Sequence, residues 1–340
     1  MTGVAQRDPS PARICVAGAG AIGLVLAARL AMAGNAVTVV ARGSTLAALR
    51  AEGIVLGDRE GSRLVPVLAA SKPEWQPQDV VILAAKAQDL PAIAALARPA
   101  IGPATMVVPA VNGIPWWYFE GTGGADDGRV IEAVDPGGRL QALLPAAQLV
   151  GTATYITSER TAPNAALTFN PLRMTVGPVT PAARSGAARV AGLLQSAGIA
   201  TQLVDDIRTA VWAKVIRNLS TNPLSVVAGA TLREIFADPL LAPLARATIE
   251  EARAVAAAYG ATVSMDADEV VKLGDVRTSM LQDYERGRPL ELAAIGDAVV
   301  ELARHKGMGM AHTCDILALA RFRMAKAQAL AGNPPPLPQP

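Results

Sequence analysis

The sequence predicts an α/β domain with a parallel sheet, followed by an all-α domain. In the first half, short uninterrupted apolar segments alternate with helical stretches, as in a parallel sheet covered on both faces. From about residue 206 the apolar period is helical. The length of 340 residues suffices for two domains of roughly 150 residues each. We therefore expect domains at 13–205 and 206–330, with disordered tails at 1–12 and 333–340.

Strands are expected where aliphatic and β-branched residues run without polar interruption. The predicted strands are 13–18, 36–41, 79–84, 105–109, 149–157 and 167–176. The segment 116–140 differs, because it is rich in Gly and Asp and begins with four aromatic residues. We interpret it as an extended hairpin or a lid-like insertion that caps a cleft or covers a subunit contact.

Helical periodicity predicts one helix after the first strand, at 21–33, and five in the second half. The second group comprises 207–222, 239–259, 266–284, 289–306 and 313–330. Proline has no backbone N–H and clashes with the preceding turn, so we expect Pro223 to end the regular hydrogen bonding of the first of these.

The composition argues against several classes of partner. The net charge is +2 without a run of like charges, which gives no footprint for nucleic acid or an anionic membrane. The longest apolar run, 14–28, contains three glycines and is shorter than the roughly 18–20 residues of a spanning helix. The two cysteines, Cys15 and Cys314, have no metal-site or redox-motif spacing. We expect a cytoplasmic protein without a metal site.

A glycine-rich turn follows the first strand and opens the first helix. Its residues are Gly18, Ala19, Gly20, Ala21, Ile22 and Gly23. The first glycine permits the tight turn, the second lets the backbone approach a pyrophosphate, and the third lets helix and strand pack closely. The helix N-terminus supplies free N–H groups and the positive end of the dipole. This context predicts a Rossmann-type dinucleotide site; the alternative is a structural glycine turn.

The end of the second predicted strand bears on the choice of dinucleotide. Sites for NAD usually carry Asp or Glu there, to accept a hydrogen bond from the ribose 2′-hydroxyl. This chain has Ala41-Arg42-Gly43-Ser44 instead. An arginine can neutralise a 2′-phosphate, so Arg42 favours NADP(H) over NAD(H). The alternative is that Arg42 is a solvated loop residue.

The predicted helix 207–222 carries a polar stripe. Lys214, Asn218 and Asn222 are spaced at i, i+4 and i+8 and share one helix face. Only six of the 31 Lys and Arg residues are lysines, so a lysine within an apolar segment needs a reason. Burying three polar groups without partners is costly, and a polar ligand would satisfy them. A solvated stripe explains the spacing equally well.

Taken together, five motifs resemble those of ketopantoate reductases, and the resemblance runs from about residue 13 to 325. They are Gly18–Gly23, Leu83-Ala84-Ala85-Lys86-Ala87-Gln88, Val111-Asn112-Gly113, Trp212-x-Lys214-x3-Asn218-x3-Asn222-Pro223-Leu224 and Ser279-Met280-Leu281-Gln282-Asp283. The motifs of the second domain are much more specific than the glycine turn. The resemblance implies NADPH-dependent reduction of 2-dehydropantoate to (R)-pantoate, in coenzyme A biosynthesis.

The resemblance also implies roles for individual residues. Lys214 corresponds to the lysine that protonates the developing alkoxide, and Glu291 to an active-site glutamate. Asn112 and Lys86 would lie near cofactor and substrate. Asn218, Asn222 and Ser279 would bind the substrate's hydroxyl and carboxylate. Taken alone, each of four residues has an ordinary explanation: Asn112 as a turn residue, Lys86 as a solvated lysine, Ser279 as a helix-surface serine and Glu291 as a first-turn carboxylate.

Two features depart from the family pattern. Val276 stands three residues before Ser279, where well-studied members carry a substrate-contacting asparagine, and the segment 116–140 is longer and more aromatic than in the shortest members. They leave open another branched or aromatic 2-oxoacid as the substrate. A non-catalytic NADP(H)-binding protein would be expected to lack Lys214 or Glu291, and a 3-hydroxyacid dehydrogenase is disfavoured by the motif 279–283. We expect a small-molecule substrate and a monomer or homodimer.

Overall fold

The computed structural model describes residues 11–72, 76–169, 171–265 and 274–330. Within these ranges the strands are β1 (Arg13–Ala17), β2 (Ala36–Val40), β3 (Ile54–Asp58), β4 (Gly61–Val65), β5 (Leu68–Ala70), β6 (Val80–Leu83), β7 (Met106–Pro109), β8 (Val150–Thr154), β9 (Ser158–Ala162), β10 (Ala165–Thr168), β11 (Arg173–Pro178) and β12 (Ala200–Leu203). The α-helices are α1 (Ala21–Met32), α2 (Gly43–Glu52), α3 (Leu90–Ala97), α4 (Arg139–Leu143), α5 (Arg184–Ser196), α6 (Ile207–Ala228), α7 (Leu232–Ala237), α8 (Leu241–Ala258), α9 (Ser279–Glu285), α10 (Ala298–His305) and α11 (Ala311–Leu330).

A parallel five-stranded sheet in the order β5-β2-β1-β6-β7 forms the centre of the first half. The strands predicted at 13–18, 36–41, 79–84 and 105–109 are confirmed to within one residue at each end. In β1, Ile14 to Ala17 are at most 1% exposed, as expected for a strand covered on both faces. From Ile207 onward, all secondary structure in the described residues is helical. The predicted fold class is therefore confirmed.

Two smaller sheets flank the central one. The sheet β12-β11-β8 continues beyond β7 through a parallel bridge between Val107 and Leu149. A second sheet has the order β4-β3-β10-β9. The single strand predicted at 167–176 is wrong, because β10 and β11 belong to different sheets. Pro171 lies between them and cannot donate to a strand ladder, which explains the break.

The aromatic segment 116–140 is neither a hairpin nor a lid. It consists of turns and short helical segments, and Trp116, Trp117, Tyr118 and Phe119 are at most 2% exposed. The indole Nε1 of Trp212, on α6, donates to the Tyr118 hydroxyl at 2.8 Å, and the two rings meet edge to face. The segment therefore belongs to the core that joins the helical part to the sheet.

This placement predicts a large loss of stability in Trp117→Ala. Truncating a fully buried tryptophan removes its burial and leaves a cavity, at a cost of about 3–5 kcal/mol in the free energy of unfolding. Urea unfolding monitored by circular dichroism measures it. Phe322→Ala is the matched control, because that ring is 67% exposed. Equal losses in the two variants would show that the segment does not pack as core.

Helix α6 runs past Pro223, so the predicted end at residue 222 is wrong. Proline removes one backbone donor, but the turns around it are buried and supported by side chains. The Thr221 hydroxyl donates to the Arg217 carbonyl at 2.7 Å, and the Ser225 hydroxyl to the Asn222 carbonyl at 2.7 Å. At its start, the Asp206 carboxylate accepts from the Arg208 N–H. Tertiary packing thus outweighs the local penalty.

The remaining helix predictions agree in part. Helices α8 and α11 match those predicted at 239–259 and 313–330 to within two residues at each end. The helix predicted at 289–306 begins later, with a π-helical turn, Ala293–Asp297, before α10. Of that predicted at 266–284, residues 266–273 lie outside the described residues; 274–278 are not helical, and α9 starts after the cap residue Thr278. The predicted tails also lie outside the described residues, apart from 11–12.

Candidate active site

The carboxyl ends of four strands bring three predicted site residues, together with Tyr155, to one edge of the sheet. Strands β1, β6 and β7 are parallel, and the bridge to Leu149 sets β8 parallel to β7. Gly18, Lys86, Asn112 and Tyr155 follow these strands in turn. Ligands in open α/β sheets bind at this edge.

The glycine turn has the form that a dinucleotide pyrophosphate requires. Gly18 has a φ of +112°, and a Cβ there would lie 2.5 Å from the Ala84 carbonyl oxygen. A Cβ on Gly23 would lie 2.0 Å from the Gly18 carbonyl oxygen, so only glycine lets helix and strand approach this closely. Helix α1 has no side-chain cap at Gly20 and no acidic residue in its first turn. Its free N–H groups therefore fit an anionic group.

Arg42 lies at the start of α2, directly after β2. Strand β2 is next to β1, and the Gly18 N–H donates to the Val40 carbonyl at 3.3 Å, so Arg42 lies on the same side as the glycine turn. Its side chain is exposed and has no recorded hydrogen bond or ion pair within the described residues. The guanidinium is available to an anionic ligand.

Glu291 connects two loops of the sheet edge to the helical part. Its carboxylate accepts from the Ala87 N–H at 3.2 Å and from the Asn112 side-chain amide at 3.3 Å. Burial raises the pKa of Glu291, against the lowering effect of these two hydrogen bonds. Next to Asn112, Gly113 has a φ of +87°, and a Cβ there would lie 2.3 Å from the Ala294 carbonyl oxygen. The close contact holds Asn112 at this junction.

Lys86 is paired across the same junction. Its Nζ donates to Asp283 Oδ2 at 2.6 Å and to the Pro289 carbonyl at 3.0 Å. Asp283 also faces the Arg288 Nε at 2.9 Å, and its side chain is only 12% exposed. The solvated alternative for Lys86 is therefore wrong: Lys86 joins the sheet edge to α9 and to the segment after it.

Lys214 lies on α6, half-buried, near the ring of Tyr155. Burial lowers the pKa of Lys214 to about 8; the charge of Glu291 opposes this shift and that of Arg217 reinforces it. Its Nζ lies 5.9 Å from the centroid of the Tyr155 ring. A lysine with a pKa near 8 is largely an ammonium at neutral pH and can still deliver a proton.

The other predicted substrate ligands line the same part of α6 or lie beside it. Asn218 is half-buried, and Asn222 is 5% exposed with its amide oxygen 3.2 Å from the Thr221 hydroxyl. The stripe on α6 is therefore not simply solvated. Ser279 is the exposed first residue of α9. The hydroxyls of Thr278 and Ser225 are 2.6 Å apart, which holds the start of α9 against α6.

Comparisons with known proteins bear on what this arrangement is. The model of the family described as "Ketopantoate reductase PanE/ApbA" matches residues 14–117, and that of its C-terminal domain matches residues 206–323. A 2-dehydropantoate 2-reductase of Mesorhizobium japonicum is 40% identical over 299 residues, which are 86% of this chain and 91% of that protein. The chain belongs to the ketopantoate reductase family.

Two solved structures of other proteins have the same fold. A putative ketopantoate reductase from Ralstonia solanacearum superposes with a TM-score of 0.87 at 35% identity, covering 95% of this chain and all of that one. A D-mandelate dehydrogenase, solved with NADH and anilino(oxo)acetate, has a TM-score of 0.80 at 18% identity over 93% and 99% of the two chains. That second likeness shows the fold alone. The ketopantoate reductase family comprises NAD(P)-dependent oxidoreductases acting on CH–OH groups.

Sequence reasoning missed several residues of this ketopantoate reductase site. Asp283 belongs to a recognised motif, but its pairing with Lys86 depends on a contact across 197 positions. Arg217, Tyr155 and Arg173 attracted no attention, although Arg217 stands between Lys214 and Asn218 on the same helix. In an arginine-rich chain, one more arginine carries little information. The signal that could have identified Arg217 was its position next to the polar stripe on α6.

Among the described residues, no group of three or more His, Cys, Asp and Glu side chains could hold a metal ion. In the same part of the chain, no helix is long and apolar enough to cross a membrane.

Proposed function

We propose that this ketopantoate reductase family member reduces 2-dehydropantoate to (R)-pantoate with NADPH, in the cytoplasm and as a step of pantothenate and coenzyme A biosynthesis. The observation that carries the proposal is the pair of Lys214 and Glu291. The Glu291 carboxylate is hydrogen-bonded to two loops of the sheet edge, and its charge raises the pKa of the half-buried Lys214, which burial lowers to about 8. In this scheme residues 13–205 bind the cofactor and residues 206–330 close over the substrate.

Bound NADPH supplies a hydride for the carbonyl carbon of the substrate, and the glycine turn 18–23 would hold its pyrophosphate. Hydride addition builds negative charge on the carbonyl oxygen. Lys214 stabilises that charge as an ammonium and donates its proton to the oxygen. Glu291 keeps the ammonium charged and, through Asn112, fixes the loop after β7.

The other polar groups orient the substrate. Asn218, Asn222 and Ser279 supply donors for its hydroxyl and carboxylate, and Lys86 holds the loop after β6 through Asp283. Such placement lowers the entropic part of the barrier, because the carbonyl is kept in one orientation toward cofactor and lysine.

The decisive experiment is a substrate panel. We expect NADPH oxidation at 340 nm to be fastest, by kcat/KM, with 2-dehydropantoate among straight-chain, branched and aromatic 2-oxoacids. A second candidate, another branched or aromatic 2-oxoacid, is favoured by Val276, which puts an apolar side chain, 37% exposed, three residues before Ser279. Higher kcat/KM for such an acid would replace 2-dehydropantoate as the substrate and leave the reaction type intact.

Arg42→Ala is expected to reduce the preference for NADPH. A charge-assisted contact to the 2′-phosphate is worth about 1.5–3 kcal/mol, so the ratio of kcat/KM with NADPH to that with NADH should fall about ten- to hundredfold. Arg50→Ala is the control on the same helix, because Arg50 donates instead to the Ala69 carbonyl. A wild-type enzyme that uses NADH better than NADPH would contradict the role of Arg42.

A further inference from the structure

Three cations surround one aromatic ring next to Lys214. Tyr155 directly follows β8, and its ring centroid lies 4.9 Å from the guanidinium carbon of Arg173, 6.0 Å from that of Arg217 and 5.9 Å from the Nζ of Lys214. Arg173 is placed there by the sheet, since its carbonyl accepts from the Tyr155 N–H at 2.8 Å. Each distance is within the range of a cation–π contact.

Arg217 is the least compensated of these cations. Its Nε is buried and makes no hydrogen bond, and among the described residues its side chain has no recorded ion pair. In contrast, the charge of Lys214 is stabilised by that of Glu291, and Arg173 is exposed to solvent. A buried guanidinium N–H without an acceptor is costly, and a ligand that supplies an anion would remove that cost.

The position of Arg217 relative to Lys214 indicates which anion that is. The two residues are three positions apart on α6, so their side chains project from neighbouring points of one helix face. Both cations also reach the same ring. A ligand whose carbonyl oxygen meets Lys214 can therefore extend an adjoining anionic group toward Arg217. In a 2-oxoacid the carboxylate is bonded directly to the carbonyl carbon.

We propose that Arg217 binds the carboxylate of the 2-oxoacid substrate, with the Tyr155 ring as the wall that orients its guanidinium. This inference rests on the proposed function and adds a charged anchor to the amide and hydroxyl ligands of the site. The planar guanidinium matches a carboxylate in a bidentate manner, which a point charge does not. Arg173, which is exposed to solvent, adds attraction that solvent and salt screen.

The test compares two small probes that differ in one group. Oxamate carries a carbonyl next to a carboxylate, and oxamide carries the same carbonyl without the charge. Binding of each to the NADPH complex of the full chain is measured by quenching of NADPH fluorescence. For wild type we expect oxamate to bind more tightly than oxamide. In Arg217→Met, oxamate affinity should fall about ten- to hundredfold, and oxamide affinity should stay the same.

Two further variants separate binding from structure. Arg217→Lys keeps the charge without the planar fork and should recover part of the oxamate affinity. Arg173→Met removes an exposed cation over the same ring and should change oxamate affinity by less than about threefold. With the physiological substrate, Arg217→Met should raise KM more than it lowers kcat. NADPH affinity and melting temperature, measured for each variant, report whether the fold is intact.

Each outcome decides the proposal. Equal affinity of wild type for oxamate and oxamide, or an equal loss of both probes in Arg217→Met and Arg217→Lys, would overturn it. An Arg217→Met variant that keeps wild-type affinity for oxamate would do the same. The probes need no turnover, so a wild type that fails to reduce 2-dehydropantoate but loses oxamate affinity in Arg217→Met would refute the proposed substrate and retain the carboxylate anchor.

Discussion

Lys214→Ala is expected to lower kcat for 2-oxoacid reduction by about 10²–10⁴, the usual contribution of a positioned general acid. The variant lacks the group that stabilises the developing alkoxide and donates its proton. Affinity for NADPH should remain at the wild-type level, because the glycine turn and Arg42 lie on the sheet domain and not on α6. Steady-state turnover and fluorescence titration with NADPH measure the two quantities separately.

Two control variants give this result its meaning. Lys72→Ala removes an exposed lysine of the sheet domain and should leave kcat unchanged. Lys214→Arg keeps a cation but cannot release its proton near neutral pH, so it should remain strongly impaired. Unchanged turnover in Lys214→Ala would reject the lysine as the acid and move the search to another donor.

The strands of the sheet were predictable where a run of adjacent apolar residues indicates burial. The strands β1, β2, β6 and β7 are aliphatic runs covered on both faces, and their position does not depend on distant residues. The glycine turn was predictable for the same reason, since the required glycines are adjacent in sequence. By comparison, β4 and β9 are short, largely exposed edge segments of a small sheet, and their polar sequences gave no periodic signal.

The errors arose where tertiary contacts override local signals. The aromatic residues 116–119 suggested a hairpin or a lid-like insertion, but in the structure the rings of Trp212 and Tyr259 pack against Tyr118. Pro223 should end a helix in isolation, but α6 continues past this position, where the residues around the proline are buried. Local rules give the cost of each feature, and only the packed structure shows what offsets it.

In the candidate site, too, some residues could be predicted from local spacing, and others depend on contacts between distant parts of the chain. Lys214, Asn218 and Asn222 share a helix face that spacing alone reveals. Other contacts of the site join residues about 180 to 200 positions apart. They are the ion pair between Lys86 and Asp283 and the hydrogen bonds of Glu291 with Ala87 and Asn112. No sequence pattern reports such contacts without knowledge of the family. This is why the resemblance identified the residues, whereas their electrostatic coupling emerged from the structure.

That coupling predicts the behaviour of Glu291→Gln, which should lower kcat/KM at neutral pH by about ten- to hundredfold. The charge of Glu291 raises the pKa of Lys214 against the effect of burial. Without that charge, the pKa of Lys214 should fall below its wild-type value of about 8. Because the acid must be protonated, the decline of kcat/KM on the alkaline side should move to lower pH. Glutamine should retain at most part of the hydrogen bonding to Ala87 and Asn112.

The acidic side of the profile tests the same pair independently. Burial raises the pKa of Glu291, so wild-type kcat/KM should decline on the acidic side at a pH above the usual range for glutamate. In Glu291→Gln this acidic decline should disappear, while Glu250→Gln, which changes an exposed carboxylate of α8, should keep the wild-type profile. A profile of Glu291→Gln with both limbs in their wild-type positions would show that Lys214 does not sense this carboxylate. Kinetics between pH 5 and 10 with saturating NADPH would distinguish the two outcomes, because kcat/KM reports the groups of the cofactor-bound enzyme before substrate binds.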